Sequence, residues 1–458
     1  MVNTETNSCF NSRLNVAKFG GTSVADFDAM LRCAKIIKNN PDTRVVVVSA
    51  SAGVTNELVR LANDQLEPNQ QQQILETIAQ IQQRIITQLA DASVVRQQVD
   101  LILDELSKLV TEQSISRSVR HADAILACGE RMSSVIFAEV LHMIDVPGQM
   151  FDVRRVMRTD SLYGQANVNI DELKNRCQSL LQPLLSDHVI VTQGFIGEDQ
   201  LGYTTTLGRG GSDYSAALLA EALNADNLQI WTDVVGIFTT DPRIASSARA
   251  IPEISFGEAA EMATFGAKIL HPATLIPAMR SDIPVFVGSS REPESGGTQI
   301  RQQVTSKPRY RAIAMRKEQT LVTVKSPAML HASGFLAEVF AILAKHQLSV
   351  DLITTSEISV AMTFDNPVGS TQALINQQVL AELEQLCDVT VEHDLCLVAI
   401  VGNNLQSTNQ LGSSIFDHLE DTSVRMICHG ASANNLCFLV NEQDGHHVVE
   451  TLHNKLFA

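Results

Sequence analysis

The sequence predicts an α/β fold, a mainly parallel sheet sandwiched by helices, followed by a duplicated α+β region. Three observations carry this reading. Apolar strands alternate with helix-like stretches through the first two thirds of the chain, the pattern of a helix-covered parallel sheet. One of them, RVVVVS at 44–49, is continuously apolar, as in a strand buried on both faces. Beyond residue 320 the chain repeats itself: LVTV at 321–324 matches LVAI at 397–400, and 335–356 matches 411–432, both 76 residues apart.

The elements follow in order. Residues 1–13 form a polar tail. Leu14, Val16 and Phe19 are strand formers, and the strand stops at Lys18, Gly20, Gly21, Thr22 and Ser23 before a helix. After RVVVVS a second helix starts at Thr55 or Asn56. Residues 65–118, rich in Gln and Leu, read as two or three helices on one side of the sheet. Further strands are expected at Gln149–Val153, His188–Thr192, Leu228–Trp231 and Ile283–Val287. SSREPESGGT at 289–298 breaks the pattern, and the domain boundary is placed there. Each copy of the repeat reads strand, loop, helix, strand, strand; Leu336, Val339, Phe340 and Leu343 stripe the first helix. Ligand sensing and plain dimerisation both fit such a duplication.

With 458 residues, 45% of them hydrophobic and 19% charged, the chain can bury a large core. Its net charge of −17 argues against a nucleic-acid partner. An acidic protein that handles anions must gather positive charge locally and recruit a metal ion. No apolar run is long enough to span a membrane, and the N-terminus lacks a leader's apolar stretch. The eight cysteines are scattered, without a C-x-x-C pair. The expectation is a cytoplasmic protein with reduced thiols and no zinc site.

Five stretches carry candidate chemistry. In VAKFGGTS, bare glycine amides after a strand suit phosphate oxygens, and Lys18 adds a positive charge. A tight turn with a solvated lysine fits this fragment equally. In TTTLGRGGSDY, three glycines around Arg209 make an anion cradle at a helix start, with Asp213 beside it. In SASAGVTN, small residues including Ser49 precede a helix whose N-terminus suits a carboxylate, although Thr55 alone reads as an ordinary cap. In ACGERMSS, Glu130 suits an ammonium group or an ion pair with Arg131. In WTDVVGIFTTDPR, with FGAKILHPAT, Thr232, Asp233 and Lys268 suit a nucleotide, while Trp231 reads as core.

Together and in this order, KFGGTS, SASAGVTN, TTTLGRGGSDY, WTDVVGI, TTDPR, EMATFGAKILHPAT and FLAEVF…SVDLITTSE resemble the aspartokinases, in particular the monofunctional lysine-sensitive class, over residues 14–458. The resemblance implies an amino acid kinase fold over 14–298 and paired ferredoxin-like ACT domains. Residues 299–319 would be a linker plus the first strand of the second ACT domain, 320–393 the first, lysine-sensing domain and 394–458 the second. It implies transfer of the ATP γ-phosphate to L-aspartate, feedback inhibition by L-lysine, a magnesium ion held largely by ATP and water, and a homodimer or dimer of dimers through the ACT domains. A non-catalytic amino-acid sensor, or a sister kinase acting on another carboxylate, is the alternative.

Carried over by resemblance, Lys18 stabilises the transferring phosphoryl group and Asp213 orients that machinery. Arg209 grips the aspartate α-carboxylate, Glu130 its ammonium, and Ser49 and Thr55 line the pocket. Lys18, Phe19, Gly20, Gly21, Thr232, Asp233, Phe238, Arg243 and Lys268 attend ATP. The lysine positions are Met329, Ala332, Gly334, Phe335, Leu336, Ser349, Val350, Asp351, Ser356 and Glu357. The chain departs from the family pattern at Cys128 for His, Val235 for Pro, Phe238 for Tyr and Ala332 for Ser. Ile427 stands in the second module where Asp351 stands in the first, so that module is expected to lack the site.

Overall fold

The computed structural model describes residues 13–63, 65–116, 118–266, 270, 272–330, 333–365, 375–419 and 421–457. They fall into two units. The first comprises residues up to Ile237, Ala250–Phe256 and Ile269–Val304; the second comprises Phe238–Arg249, Gly257–Lys268 and Thr305–Ala458.

In the first unit the strands are β1 (Asn15–Phe19), β2 (Thr43–Val48), β3 (Gly148–Phe151), β4 (Val189–Gln193), the ribbon pair β5 (Ile196–Glu198) and β6 (Thr204–Thr206), then β7 (Asn227–Thr232), β8 (Glu253–Ser255), β9 (Val285–Ser289) and β10 (Gly297–Arg301). The sheet runs β3-β4-β2-β1-β7-β9-β10-β8, and its pairs are parallel apart from β9 with β10. Its helices are α1 (Phe27–Lys38), α2 (Val54–Asn63), α3 (Pro68–Ile86), α4 (Ser93–Ile115), α5 (Val119–His142), α6 (Ile170–Arg176), α7 (Gly211–Ala222) and α9 (Pro272–Arg280); α8 (Phe256–Thr264) lies almost wholly in the second unit.

The central strands are buried along their length because helices cover both faces, which is why their sequences are continuously apolar. Ala17, Phe19, Val46 and Val48 pack against Met30 of α1, Leu58 of α2 and Phe137 of α5, with Ile78 of α3 and Leu106 of α4 in the same core. The strand's two-residue alternation then sends Lys18 to the opposite face, where α7 packs. There the buried Glu221 of α7 ties three helices together through Arg280 of α9 and Lys174 of α6.

Within α3, Gln82 is fully buried and neither end of its amide finds a hydrogen bond among the described residues. An unpartnered buried amide costs about 1–3 kcal/mol. Gln82→Met is therefore expected to raise the urea midpoint; an unchanged or lower midpoint contradicts this.

The stretch 289–298 is not a break between folded bodies. A short turn at Pro293–Ser295 links β9 to β10, and β10 pairs with both β9 and β8, so the first unit runs to Val304. Two segments that the sequence reading counted with the sheet go to the second unit because their polar groups are satisfied there. Ile313 N–H donates to the Thr239 carbonyl at 2.7 Å, Arg311 pairs with buried Glu258, and Glu261 accepts from Ser432 and Asn435.

The second unit is an antiparallel sheet of β11 (Tyr310–Lys325), β12 (Ile353–Thr355), β13 (Ser359–Asp365), β14 (Asp388–Gly402), β15 (Met426–His429) and β16 (Asn435–Asn441), in the order β12-β13-β11-β14-β16-β15. The repeat is visible as two halves side by side. In one, Val322 and Val324 pack under α10 (Phe335–Lys345) and α11 (Gln377–Leu383); in the other, Val398 and Ile400 pack under α12 (Leu411–Phe416) and α13 (Glu442–Leu456). Ile313, on the early part of β11, packs in the second half's core, so this long strand serves both copies.

Candidate active site

The carboxyl ends of β1, β2, β4 and β7 lie in register: Phe19 pairs with Val48 and Trp231, and Val48 with Gln193. From β1 the chain winds toward β2 on one side, and β7 opens the other, which makes this the crevice where open α/β sheets bind ligands. The Gly20–Gly21 turn is stitched into it. Gly20 N–H donates to the Trp231 carbonyl at 3.2 Å, Ser49 N–H to Phe19 and Ala52 N–H to Gly21, both at 3.1 Å. A Cβ on Gly21 would sit 2.9 Å from the Ala50 carbonyl, so only glycine allows the two turns to approach this closely.

Lys18 is 9% exposed, and its Nζ stands 2.5 Å from Oδ1 of Asp213, in the first turn of α7. The contact is one of charge without hydrogen-bond alignment, since Oδ1 is buried and unmatched by any aligned donor. The pair places an ammonium at the strand ends and holds it against a helix N-terminus, itself electropositive.

From the other face, α5 supplies Glu130. Gly129 brings the helix against Ala50, where a Cβ would sit 2.7 Å from the alanine methyl. Glu130 is 5% exposed, and burial pushes its carboxyl up to about 7, eased by a backbone hydrogen bond from Ala50 and by the charge of Lys18. Arg131, the other partner the sequence suggests, instead pairs with both oxygens of Glu105 at 2.8 Å. Glu130 is thus left to receive a cation. Ser133, one turn on, donates to the Ser49 carbonyl at 2.7 Å and fixes the end of β2.

Arg209 sits between Gly208 and Gly210, both left-handed at φ +76° and +73°. It is exposed and has no ion-pair or hydrogen-bond partner among the described residues. The arrangement offers cations and bare amides to anions, plus one buried carboxylate to a cation, on a molecule of net charge −17.

A model of the amino acid kinase family matches residues 13–289, and one of the ACT domain matches 398–456. Over 449 residues the chain is 52% identical to the lysine-sensitive aspartokinase 3 of Escherichia coli (strain K12), covering 97% of this chain and 100% of that one. The chain belongs to the aspartokinase family. An aspartokinase of Chlamydia pneumoniae is 34% identical over 96% of this chain and 97% of its own. The crystal structure of E. coli aspartokinase III with aspartate and ADP, in the R-state, superposes with a TM-score of 0.90 at 51% identity over 97% of this chain and 100% of that one. The same enzyme with lysine and aspartate, in the T-state, gives 0.84 at 52% identity over 98% and 100%.

The fold expected from sequence is thereby established: an amino acid kinase fold followed by ACT domains. As an aspartokinase, the chain is an ATP-dependent phosphotransferase with a carboxylate acceptor. On the first unit the structure brings together Lys18, Gly20, Gly21, Ser49, Glu130, Asp213, Thr232 and Asp233. Thr55 is exposed in the first turn of α2. Phe19 contributes only backbone, because its ring is fully buried against Phe137 and Trp231. Trp231 is core, as its sequence context suggests. Phe238 and Arg243 belong to the second unit, where Arg243 is exposed and held by Asp241 at 2.6 Å; Lys268 lies outside the described residues. Cys128 is fully buried, and burial pushes its thiol up to about 12, so it acts as a small apolar residue.

The lysine positions form two groups. Met329, Gly334, Phe335 and Leu336 lie before and at the start of α10, near the β12–β13 turn that carries Ser356 and Glu357, where Ser326 N–H donates to the Ile358 carbonyl. Ser349, Val350 and Asp351 follow the far end of α10, a helix about 16 Å long by its rise per residue. Asp351 is not merely solvated: its Oδ2 accepts from Arg316 at 2.7 Å. Ala332 lies outside the described residues. The sequence reading missed Arg316, a single basic side chain on a strand with no motif around it. It also missed Asp123, for which a signal existed: an acid seven residues ahead of Glu130 on an otherwise apolar helix face.

Proposed function

We propose that this aspartokinase transfers the γ-phosphoryl group of ATP to the side-chain carboxylate of L-aspartate, giving 4-phospho-L-aspartate and ADP, the first step toward lysine, threonine and methionine, under inhibition by L-lysine. The observation that carries the reading is the Lys18–Asp213 pair at the strand ends with Glu130 across the crevice. An aspartate oxygen forms the new bond to the γ-phosphorus as the bond to the β,γ-bridging oxygen breaks, and the electron pair leaves on ADP. The acceptor is already ionised and gives up no proton, so no general base is required. The obstacle is repulsion between anions. Lys18 offsets it at the transferring group, the Gly20–Gly21 amides meet phosphate oxygens, and Asp213 sets the direction of Lys18. Glu130 takes the substrate ammonium and Arg209 its α-carboxylate, which fixes the attacking oxygen in place. Ser49 and Thr55 line the aspartate end. Thr232 and Asp233 attend the nucleotide.

Among the described residues, no three histidine, cysteine or acidic side chains converge as a metal-ligand set. A magnesium ion would take phosphate oxygens and water as ligands. When bound, it screens the charge of the polyphosphate.

We assign the sheet unit, which runs to Val304, to catalysis, and within the second unit 320–393 to the lysine-sensing ACT domain and 394–458, with the early part of β11, to the second. The two groups of lysine positions stand at opposite ends of α10, which supports a site completed by a second copy of the chain. Leu330, Leu336, Phe340 and Ile353, large and exposed on the first half, supply an apolar surface for that copy. Among the described residues no helix is long and apolar enough to cross a membrane, and every cysteine is free, in keeping with a cytoplasmic setting.

The test is hydroxamate trapping of the acyl phosphate with ATP, magnesium and aspartate, with and without lysine. Aspartyl hydroxamate, suppressed by lysine, is expected. Product from another carboxylate but not from aspartate would overturn the substrate, and lysine binding without turnover would make the chain a sensor.

A further inference from the structure

Asp123 lies on α5, 1% exposed, seven residues before Glu130. Seven residues are two helical turns, so the two acids share one stripe of the helix. Asp123 makes no ion pair among the described residues. Its Oδ2 accepts from the backbone N–H of Gly164 at 2.9 Å and of Thr206 at 2.8 Å, and its Oδ1 accepts from the Thr206 hydroxyl at 2.9 Å. Thr206 ends β6 and lies three residues before Arg209, and its carbonyl accepts from Ala166 N–H at 2.9 Å. Burial raises the Asp123 carboxyl despite these three donors.

We propose that Asp123 is a positioning residue for aspartate binding: by gripping Thr206 and Gly164 it sets where the glycine loop leaves β6, and hence where the Arg209 guanidinium meets the substrate α-carboxylate. The argument is geometric. Two left-handed glycines flank Arg209, and the arginine has no partner of its own among the described residues, so its loop takes its position from its ends. The far end is set by α7, which also carries Asp213. The near end is held at Thr206 through its N–H, hydroxyl and carbonyl together, and at Leu207, whose N–H donates to the Phe195 carbonyl at 2.9 Å. One rigid helix therefore carries the residue proposed to take the ammonium and, through Asp123, fixes the loop proposed to take the carboxylate. This inference rests on the reading of Arg209 given above.

The experiment measures kcat and KM for aspartate and for ATP in Asp123→Ala, Asp123→Asn, Thr206→Val, Arg209→Ala and the double Asp123→Ala/Arg209→Ala. Asparagine can accept both N–H groups and donate to the threonine hydroxyl, so Asp123→Asn is expected to keep aspartate KM within about threefold. Asp123→Ala is expected to raise it about 10- to 100-fold with ATP KM within about twofold, the size of effect that a misplaced binding group produces. Thr206→Val, nearly isosteric, provides a folded check with an intermediate rise. Because Asp123 acts through Arg209, the double variant is expected to be no worse than Arg209→Ala. If Arg209→Ala leaves aspartate KM unchanged, the reading of Arg209 fails. If Arg209→Ala raises it while Asp123→Ala and Thr206→Val do not, or if the losses multiply in the double variant, the positioning role fails.

Discussion

Lys18→Met is expected to lower kcat by about 10²- to 10³-fold or more while leaving circular dichroism and nucleotide KM near those of the parent. Preorganised charge at the transferring group contributes more to rate than anything else in a site of this kind, and losing one donor to a developing anion costs about that much. Lys18 is held by the strand ends and by Asp213 at 2.5 Å, so its reorganisation during reaction is small. The substitution also leaves Asp213 without its cation in a largely buried place, which costs stability. Lys18→Met/Asp213→Asn removes that second effect, and its melting temperature is expected to recover toward the parent's while activity does not. Turnover retained by either variant would remove Lys18 from the chemistry.

The second large effect is a pH dependence of aspartate affinity governed by Glu130. Its carboxyl is held at about 7 in the fold against an ordinary 4.5, chiefly by burial, and Lys18 is the charged group that faces it. A protonated carboxyl receives no ammonium, so aspartate KM is expected to rise about tenfold per pH unit below 7 and to level off above it. Glu130→Gln should flatten the profile and raise KM about 10²-fold or more, as truncation of one side of a buried charge pair does. Stability runs in the opposite sense. Between pH 4.5 and about 7 the unfolded chain releases a proton that the fold retains, so stability falls as pH rises through that window and is flat above it. Urea titrations at pH 5 and pH 8 check this; a midpoint that rises with pH in the parent, but not in Glu130→Gln, would contradict it.

Much of the fold was legible because its signals are local. RVVVVS declares a strand buried on both faces, and 76-residue self-similarity declares two equivalent halves whatever they bind. The site's chemistry was legible where a motif packs charge, glycine and helix start into a few residues, as around Lys18 and Asp213. Pairings that join distant positions were not. Arg316 with Asp351, and Asp123 with Thr206, depend on a register and a helix contact that no short stretch encodes. The boundary drawn at 298 misread a turn between paired strands as a linker, because Pro, Gly and charge mark both alike. Phe19 shows a converse error: a residue inside a ligand-binding motif whose side chain belongs to the core.

The chain passes from one unit to the other at 237/238, 249/250, 256/257, 268/269 and 304/305. A gene truncated after Val304 would therefore not encode an autonomous kinase half. It would strand the segments 238–249 and 257–268 without His453 for Thr239, Arg311 for Glu258, and Ser432 and Asn435 for Glu261. The two units alternate along one thread, so loss of the 3′ end of the gene cannot remove one and leave the other whole.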